Sequence, residues 1–529
     1  MQGHVGDEGP VTDNPRRRDV LRAGLAGAAL LAAPRRAPAI IAGGEPLTQW
    51  GIAAGDVTPD GAVVWSRTDR PSRMHVEWSV DPGFRRHVRQ AGFSEALETS
   101  DFCAQVPITG LPADRRVHYR AMFENLETGA MSAPITGSLL TPQLRPGRPL
   151  KFAWSGDVGG QGYGINPDLG GMRIFDVMRG HQPDFFIHCG DMIYADSVYQ
   201  AKKGAKGAKG RAWTNLLTPE KQKVAETQKE FWGNFRYNLL DENLRRFYGE
   251  IPLVVQWDDH ETKNNWWPGR ILDEDDRYTV KSCSLLSARA RKAFFDYNPI
   301  AVADGHVGRI YRALPQGPLA DLFVLDARSY RAPNNENQQS KLGPDTAFFG
   351  GNQLRWLARG LKQSQATWKV IVCDQPICLM VAHGQYTFEG IANGSGPARG
   401  RELEIAWLLS FIKRQGIKNV VWLTADVHYA ASHHYHPDRA SYKDFNPFWE
   451  FVSGPLNAAT FGPNRLDKTF GAEVVWHGIP EGTPFGASPF LGLQFFGVVE
   501  IDPQTQALTV SHYNLAGKKL NETRIEAGS

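Results

Sequence analysis

Apolar segments of strand length, most of them followed by acidic residues, constrain the fold more than any other feature. Between residues 150 and 425 these segments are LKFAW, DFFIH, IPLVVQW, DLFVLD, KVIVCD and NVVWLT. Uninterrupted apolar strands are typical of sheets that are buried on both faces. Helical patterns at 171–181 and 399–416 lie among them, and strands that alternate with helices indicate an α/β domain. We therefore predict an α/β domain over residues 150–512.

The polar residues that follow these strands are expected to meet, because sites in open α/β sheets form beyond the carboxyl ends of the strands. The polar residues in question are Asp157, Asp191, Tyr194, Asp258, Asp259, His260, Glu261, Asp374, Asp426 and His428. Buried carboxylates in a group repel one another and resist ionisation unless a cation lies among them. One aspartate after a strand is more often a helix cap or a turn former. Five strands with the same ending favour a centre of two or more metal ions, with Mn, Fe, Zn or Ca as candidates.

Residues 47–142 have a different pattern, which predicts an all-β domain. The segments GAVVWSR, MHVEWSV and VHYRAMFE have strand length and are separated by turn signals such as TPDG and DPG. Short strands at this spacing predict a small β-sandwich of the immunoglobulin or fibronectin kind. The proline-rich segment LTPQLRPGRP then reads as a linker, and residues 513–529 as a C-terminal tail.

The first 39 residues have the pattern of a twin-arginine export signal. Arg17 and Arg18 precede a short apolar stretch at 23–33, and Ala37-Pro38-Ala39 offers a cleavage site. The stretch is too short to span a bilayer, which needs about 20 apolar residues, and we expect no transmembrane segment. The alternative is a basic tail with a chance arginine pair. The pattern predicts a periplasmic or secreted protein.

Charge and cysteine usage exclude some classes of protein. The 529 residues carry a formal net charge of +3, so nothing indicates a nucleic-acid partner. The five cysteines include no CxxC pair, which argues against a cysteine-rich structural zinc site. One disulfide is compatible with the sequence, which does not select a pair. We expect a monomer.

The stretch from Leu47 to about Asp502 resembles the PhoD-like alkaline phosphatase family, a branch of the calcineurin-like metallophosphoesterases. The motifs that carry the resemblance are WGIAAGDVTPDGAVVWSR, FAWSGD, HCGDMIYAD, WDDHETKNN, LDARSYR and LTADVHY. The resemblance implies a four-layer αββα domain with a two- or three-metal site that follows the β-sandwich. It also implies hydrolysis of phosphomonoesters or phosphodiesters, small molecules or lipids, by a hydroxide that the metals hold.

The resemblance also implies roles for individual residues. It makes Asp191 the carboxylate that bridges two metals, Tyr194 the phenolate on a ferric ion, and His260 the group that contacts phosphate or protonates the leaving oxygen. Asp259 replaces the usual asparagine of its motif. The further predicted metal ligands are Asp157, Asp258, Asp259, Asp426 and His428. Iron and calcium are the metals of the family, but Asp157 stands where a cysteine ligates iron, so Mn or Zn are alternatives.

The sequence leaves the roles of two arginines and two asparagines open. Arg328 is expected to bind the substrate phosphate together with Arg331, or else to form an ion pair beneath the sheet edge. Asn264 and Asn265 are expected to donate to the substrate phosphate or to coordinate a second cation, or else to form a turn. Two alternative functions are a phospholipase D-like diesterase and a secreted, non-catalytic binding module on the same fold.

Overall fold

The computed structural model describes residues 44–302 and 305–528, so the predicted export signal at 1–39 lies outside the described residues. The helices are α1 (Ile174–Gly180), α2 (Gln228–Asn238), α3 (Glu242–Glu250), α4 (Cys283–Tyr297), α5 (Gly351–Gln363) and α6 (Glu402–Arg414). The strands are β1 (Ile52–Gly55), β2 (Gly61–Arg67), β3 (Ser72–Ser79), β4 (Arg89–Ala96), β5 (Cys103–Thr109), β6 (Arg116–Asn125), β7 (Ile135–Leu140), β8 (Leu150–Ser155), β9 (Phe185–Cys189), β10 (Lys202–Gly204), β11 (Ala212–Thr214), β12 (Leu253–Gln256), β13 (Arg312–Pro315), β14 (Ala320–Val324), β15 (Trp368–Val372), β16 (Val420–Thr424), β17 (Ala431–Tyr435), β18 (Phe448–Val452), β19 (Ala472–His477), β20 (Phe495–Ile501), β21 (Leu508–Asn514) and β22 (Lys519–Ile525). The six predicted apolar segments are β8, β9, β12, β14, β15 and β16.

Two large sheets build the body of the protein. One has nine strands in the order β22-β21-β20-β8-β9-β12-β1-β2-β5, and the other has seven in the order β13-β14-β15-β16-β18-β17-β19. The central strands β8, β9 and β12 are parallel, and so are β14, β15, β16 and β18. Because parallel neighbours end at the same edge, each sheet collects its strand-end residues on one side.

The two sheets pack face to face and carry helices on their outer faces. One hydrophobic core joins apolar residues of both sheets, for example Phe152 and Ile187 with Val370 and Leu423. A second core lies between the nine-stranded sheet and helices α1 to α4, and a third between the seven-stranded sheet and helices α5 and α6. This is the predicted four-layer αββα arrangement. It buries the strands on both faces, which accounts for their uninterrupted apolar sequences.

The all-β region shares a sheet with the α/β region. Strands β4-β3-β6-β7 form a sheet of their own, and an apolar core joins it to β1, β2 and β5. Those three strands continue the nine-stranded sheet, since Gly55 of β1 pairs in parallel with Leu253 of β12. A buried ion pair between Asp56 and Arg312, at 2.7 Å, also joins the two regions. The second sheet of the β-sandwich is therefore one end of the nine-stranded sheet.

The C-terminal segment differs from its prediction. Residues 513–529 were expected to form a tail, but β22 pairs with β21 and forms the edge of the nine-stranded sheet. The prediction missed this strand because Lys519–Ile525 is mostly polar, as an edge strand exposed to water often is. Within the described ranges no helix is both long and apolar enough to cross a bilayer.

Candidate metal centre

The ends of four parallel strands bring the predicted ligands to one place. Asp157 follows β8, Asp191 follows β9, Asp259 follows β12, and Asp426 and His428 follow β16. Four of these five residues have positive φ angles: 70° at Asp157, 52° at Asp191, 63° at Asp426 and 59° at His428. Such backbone is uncommon outside glycine and gathers at functional sites. The strand ends are therefore bent to aim these side chains at a common point.

Glycine makes the close approach of these strand ends feasible. Gly190 has a φ of 91°, and a Cβ at this position would lie 2.4 Å from the Cβ of Asp258. A larger residue would push the β9 and β12 ends apart. The Gly-Asp sequence is thus explained by packing as well as by chemistry.

Potential ligand atoms lie in three groups that overlap. Asp157, Asp191 and His428 offer atoms that all lie within 4.8 Å of one another, and so do Asp191, Asp259 and His260. A third such group adds Asp426 through Asp259 and Asp258. Asp191 and Asp259 each belong to two of these groups, and a carboxylate that is common to two groups could contact two cations.

We call Asp157, Asp191, Asp259 and Asp426 the outer cluster, and its chemistry fits bound cations. Among the residues that the structure describes, none forms a hydrogen bond with the buried atoms Oδ2 of Asp157 and Oδ1 of Asp259. Burial and the neighbouring acids raise the pKa of Asp157, Asp191 and Asp426 well above the usual range. Buried carboxylate oxygens without donors are costly unless a cation binds them.

Tyr194 and His428 complete the donor set on one side of the outer cluster. The His428 Nδ1 donates to the carbonyl of Ala459 at 2.6 Å, which leaves Nε2 as an acceptor, and the Tyr194 hydroxyl lies 2.8 Å from Nε2. Burial lowers the pKa of His428 to about 3, so the ring is neutral. A neutral imidazole whose second nitrogen is anchored to a carbonyl is typical of a metal ligand.

His260 is held by Asp196, a residue for which the sequence analysis assigned no role. The His260 Nδ1 lies 2.7 Å from the Asp196 carboxylate, and its Nε2 lies 3.9 Å from Asp259. Burial opposes protonation of this ring, but Asp196, Asp259 and Asp191 raise the pKa of His260 well above its usual range. The feature of the sequence that could have indicated a role for Asp196 is its position, two residues after Tyr194 in the same loop.

Glu261 fastens the loops that carry the ligands. Its carboxylate accepts from the backbone N–H of Met192 at 2.7 Å and of Asp258 at 2.8 Å. These bonds tie the loop after β9 to the loop after β12. The third carboxylate of the Asp-Asp-His-Glu sequence is therefore a brace for the backbone.

Arg328 does not reach the pocket, where it was expected to bind substrate. It is fully buried and pairs with Asp258 and Glu389, with Asp374 3.5 Å away. Arg328 therefore has the other role that the sequence left open, an ion pair beneath the sheet edge. Asp258, predicted as a metal ligand, pairs directly with this guanidinium, although it also belongs to the group that contains Asp259 and Asp426.

A second arginine joins this arrangement, which we call the inner layer: Asp258, Asp374 and Glu389 with Arg328 and Arg331. Glu389 also accepts from Arg331 at 2.9 Å. The arginines lower the pKa of Glu389 to about 2 against the effect of its burial. All five side chains lie at no more than 1 % exposure.

A cavity of about 610 Å³ opens over the outer cluster. Asn264 and Asn265, predicted to contact substrate, line it, and so do Lys263 and Arg277, which the sequence analysis did not single out. Apolar and polar wall residues complete the lining: Gln161, Ser197, Val381, Ala382, Val427, Phe461, Asn464 and Phe485. Every lining residue comes from the α/β region, and the β-sandwich contributes none.

The cysteines take no part in the centre. All five belong to the described chain, are buried, and are free of disulfides. Cys189, two residues before Asp191, packs in the core between the two sheets. Burial raises the pKa of its thiol well above the usual range.

A four-layer αββα fold with strand-end acids, histidines and a buried tyrosine around one cavity defines a metallophosphoesterase. Comparison with known proteins makes the class specific. The model of the PhoD-like phosphatase family matches residues 152–512, and that of the PhoD-like phosphatase N-terminal domain matches residues 35–143. The chain belongs to the PhoD-like phosphatase family, as the sequence motifs indicate, and is a phosphoric ester hydrolase.

Individual relatives agree with this assignment. Alkaline phosphatase D of Bacillus subtilis (strain 168) is 26% identical over 447 residues, which cover 79% of this chain and 70% of the relative. A solved structure of PhoD superposes with a TM-score of 0.65 at 19% identity, covering 91% of this chain and 93% of the other. A purple acid phosphatase from yellow lupin seeds gives 0.56 at 11% identity, covering 91% and 74%. The two structures show the shared fold.

Proposed function

We propose that this chain is an exported, metal-dependent phosphoesterase that hydrolyses phosphomonoesters and phosphodiesters in the cavity over the outer cluster. The observation that carries the proposal is the outer cluster itself, in which Asp157, Asp191 and Asp259 are buried and Asp426 is partly exposed. Neutral His428 lies beside these acids, and no arginine of the described chain is in hydrogen-bond contact with them. The Bacillus relative is an alkaline phosphatase by name, which supports the reaction.

The residues of the outer cluster divide into two sets of donors. We assign Asp157, Asp191, Tyr194 and His428 to one cation, and Asp191, Asp259 and Asp426 to the other. When bound, such cations hold the phosphoryl oxygens, neutralise their charge and make water a better nucleophile. Iron and calcium follow from the family, whereas the hard oxygen of Asp157 in place of a thiolate suits Mn or Zn as well.

The remaining residues bind the ester and move a proton. Lys263 and Arg277 line the cavity and bring positive charge to its rim, although Asp275 pairs with both, at 3.4 Å and 2.8 Å. Asn264 and Asn265 border the same space and are placed to donate to phosphoryl oxygens. His260, held by Asp196, protonates the departing oxygen from Nε2.

Metal removal tests the proposal. Protein purified without added metal is analysed for metal content and assayed on nitrophenyl phosphate and bis(nitrophenyl) phosphate. We expect bound metal, loss of both activities on chelation, and recovery when the same metal is returned. Full activity in protein shown to be free of metal would refute the assignment.

A diester with an apolar substituent is the second candidate substrate, and two phenylalanines favour it. The Phe461 ring lies 4.9 Å from that of His428 and 4.8 Å from that of Phe485. Phe485 is 68% exposed at the cavity rim, and an exposed aromatic beside a polar site indicates a contact for apolar ligand surface. Phe485→Ala should raise KM for phosphatidylcholine and bis(nitrophenyl) phosphate, and leave KM for glycerol phosphate unchanged. An equal effect on all three esters would argue against this contact.

Export through the twin-arginine route follows from residues 1–39, and we propose a periplasmic or secreted monomer. The direct test fuses these residues to a folded reporter protein. Replacing both Arg17 and Arg18 with Lys should keep the reporter in the cytoplasm. Replacing both Arg35 and Arg36 with Lys is the control and should leave export unchanged. Export of the first variant at the normal level would leave the prediction without support.

A further inference from the structure

A second set of metal-ligating side chains lies inside the core, apart from the outer cluster. It consists of Cys378, His433, Tyr435 and Glu450, which we call the core cluster. Their exposed fractions are 2% for Cys378 and 0% for the other three. Nothing in the proposed hydrolysis uses these residues, and substrate has no access to them.

The fold places the four side chains together from three segments. His433 and Tyr435 are two residues apart on β17 and so share one face of the strand. Glu450 on β18 is the direct cross-strand partner of His433. Cys378 approaches from the segment after β15, where the backbone N–H of Ile377 donates to Glu450 at 2.8 Å.

The distances among the donor atoms match a metal site. The Cys378 Sγ lies 3.7 Å from the His433 Nδ1 and 3.9 Å from the Glu450 Oε2, and these two atoms lie 3.0 Å apart. A point equidistant from the three atoms lies about 2.1 Å from each, in the range of zinc–ligand bonds. The Tyr435 hydroxyl, 2.6 Å from the same Glu450 oxygen, lies beside the remaining coordination position.

The charges also call for a cation. Among the residues that the structure describes, Glu450 has no Lys or Arg partner, and its one ionic contact is with His433. A cation would compensate this buried carboxylate, and the thiol and the imidazole beside it are further potential ligands for the same cation.

We propose that the core cluster binds one zinc-class divalent cation through Cys378, His433 and Glu450. The mixed sulfur, nitrogen and oxygen donors suit zinc better than calcium or magnesium. The ion would be structural. It would fasten the segment that contains Cys378 to β17 and β18, and β17 begins three residues after His428, so the ion would also brace a ligand loop of the candidate centre. This inference is independent of the proposed hydrolysis.

Metal content per chain tests the inference in three proteins. The intact chain is compared with Cys378→Ala and with Cys283→Ala, whose cysteine is equally buried and lies on α4, away from the core cluster. We expect Cys378→Ala to carry about one zinc ion fewer per chain, and Cys283→Ala to match the intact protein. Equal zinc content in the three folded proteins would overturn the inference.

A spectroscopic measurement decides the question even if Cys378→Ala fails to fold. The intact chain produced with cobalt in place of zinc should show the near-ultraviolet absorption of a cobalt–thiolate bond. Cys189→Ala should retain this band, although Cys189 is the cysteine nearest to Asp191 in the sequence. Absence of the band from the intact chain, or its loss in Cys189→Ala, would show that Cys378 binds no metal.

Discussion

The outer cluster and the inner layer are neighbouring groups of buried acids that the protein compensates in different ways. Asp258 and Asp259 are adjacent in sequence, and among the described residues one carboxylate oxygen of each has no hydrogen-bond partner, yet only Asp258 forms a close ion pair with Arg328. The nearest approach of Arg328 to Asp259 is 4.0 Å, and to Asp426 3.9 Å. One acid of the pair is thus neutralised by the protein, and the other is left for a ligand.

The difference assigns separate tasks to the two groups. Arginine is a permanent part of the chain, so the inner layer is closed and serves to hold the strand ends together. A bound cation can also contact substrate, and only the outer cluster lines the cavity, through Asp191, Asp259 and Asp426. Changes to the outer cluster should therefore affect metal binding and catalysis, and changes to the inner layer should affect stability.

The largest effect is expected for Asp191→Asn. The substitution removes the charge shared by two donor groups, so the metal content should fall and kcat should drop by about a thousandfold or more, with the fold intact. The measurements are metal analysis, circular dichroism and kcat on nitrophenyl phosphate. Asp345→Asn, at an exposed acid, is the matched control and should change neither quantity. Normal activity in Asp191→Asn would remove this residue from the centre.

Arg328→Met should act on stability. It leaves Asp258 buried without its arginine and Glu389 with Arg331 as its remaining ion-pair partner, which costs about 3–5 kcal/mol in the free energy of unfolding. Urea denaturation measures the loss. The control is Arg246→Met, because the Arg246 side chain is 48% exposed and its pair with Glu242 should contribute less than about 1 kcal/mol. If Arg328→Met were as stable as the intact chain and had a lower affinity for substrate, Arg328 would instead be a phosphate-binding residue.

The same pair of groups shows how far sequence reasoning reaches. Runs of apolar residues predicted the six strands, and the strand rule placed Asp157, Asp191, Asp259 and Asp426 beyond carboxyl ends of strands, because the side of a parallel sheet where strands end follows from topology. Three of these strands belong to the nine-stranded sheet, and β16 belongs to the seven-stranded sheet. The direction of a side chain beyond a strand end depends on local φ angles. Sequence pattern does not encode those angles, so Asp258 and Asp259 looked equivalent.

Contacts between residues far apart in the sequence are the other feature that sequence patterns do not predict. Glu389 lies 61 residues from Arg328, in a stretch without regular secondary structure, and no local pattern links the two. For the same reason the β1–β12 pairing that merges the two predicted domains into one sheet could not be foreseen. A role for Asp196 could have been predicted from the sequence, since Asp196 lies in the same short loop as Tyr194.

Asp196→Asn should separate positioning from metal binding. Asp196 contacts His260 at 2.7 Å and also accepts from the Asn264 backbone at 2.8 Å, so it orients the ring without belonging to the outer cluster. We expect kcat to fall by about 10- to 100-fold on alkyl phosphates, which need a proton on the leaving oxygen, and less on nitrophenyl phosphate. Metal content should stay unchanged. Equal losses on both esters would show that His260 is not an acid in the reaction.

A third way to accommodate buried acids, by protonation, predicts the smallest effect. Burial and then Asp467 raise the pKa of Glu402 from 4.5 to about 9. Because this pKa is raised in the folded protein, the proton stabilises the fold fully below pH 4.5, and the stabilisation is lost as the pH rises towards 9. Its contribution changes by at most about 1.4 kcal/mol per pH unit. Glu402→Gln should therefore gain stability relative to the intact chain between pH 6 and pH 8 in parallel thermal melts. A constant difference in stability between the two proteins from pH 6 to pH 8 would mean that Glu402 is ionised in the folded protein. The fold would then bury an ionised acid here without a cation or an arginine.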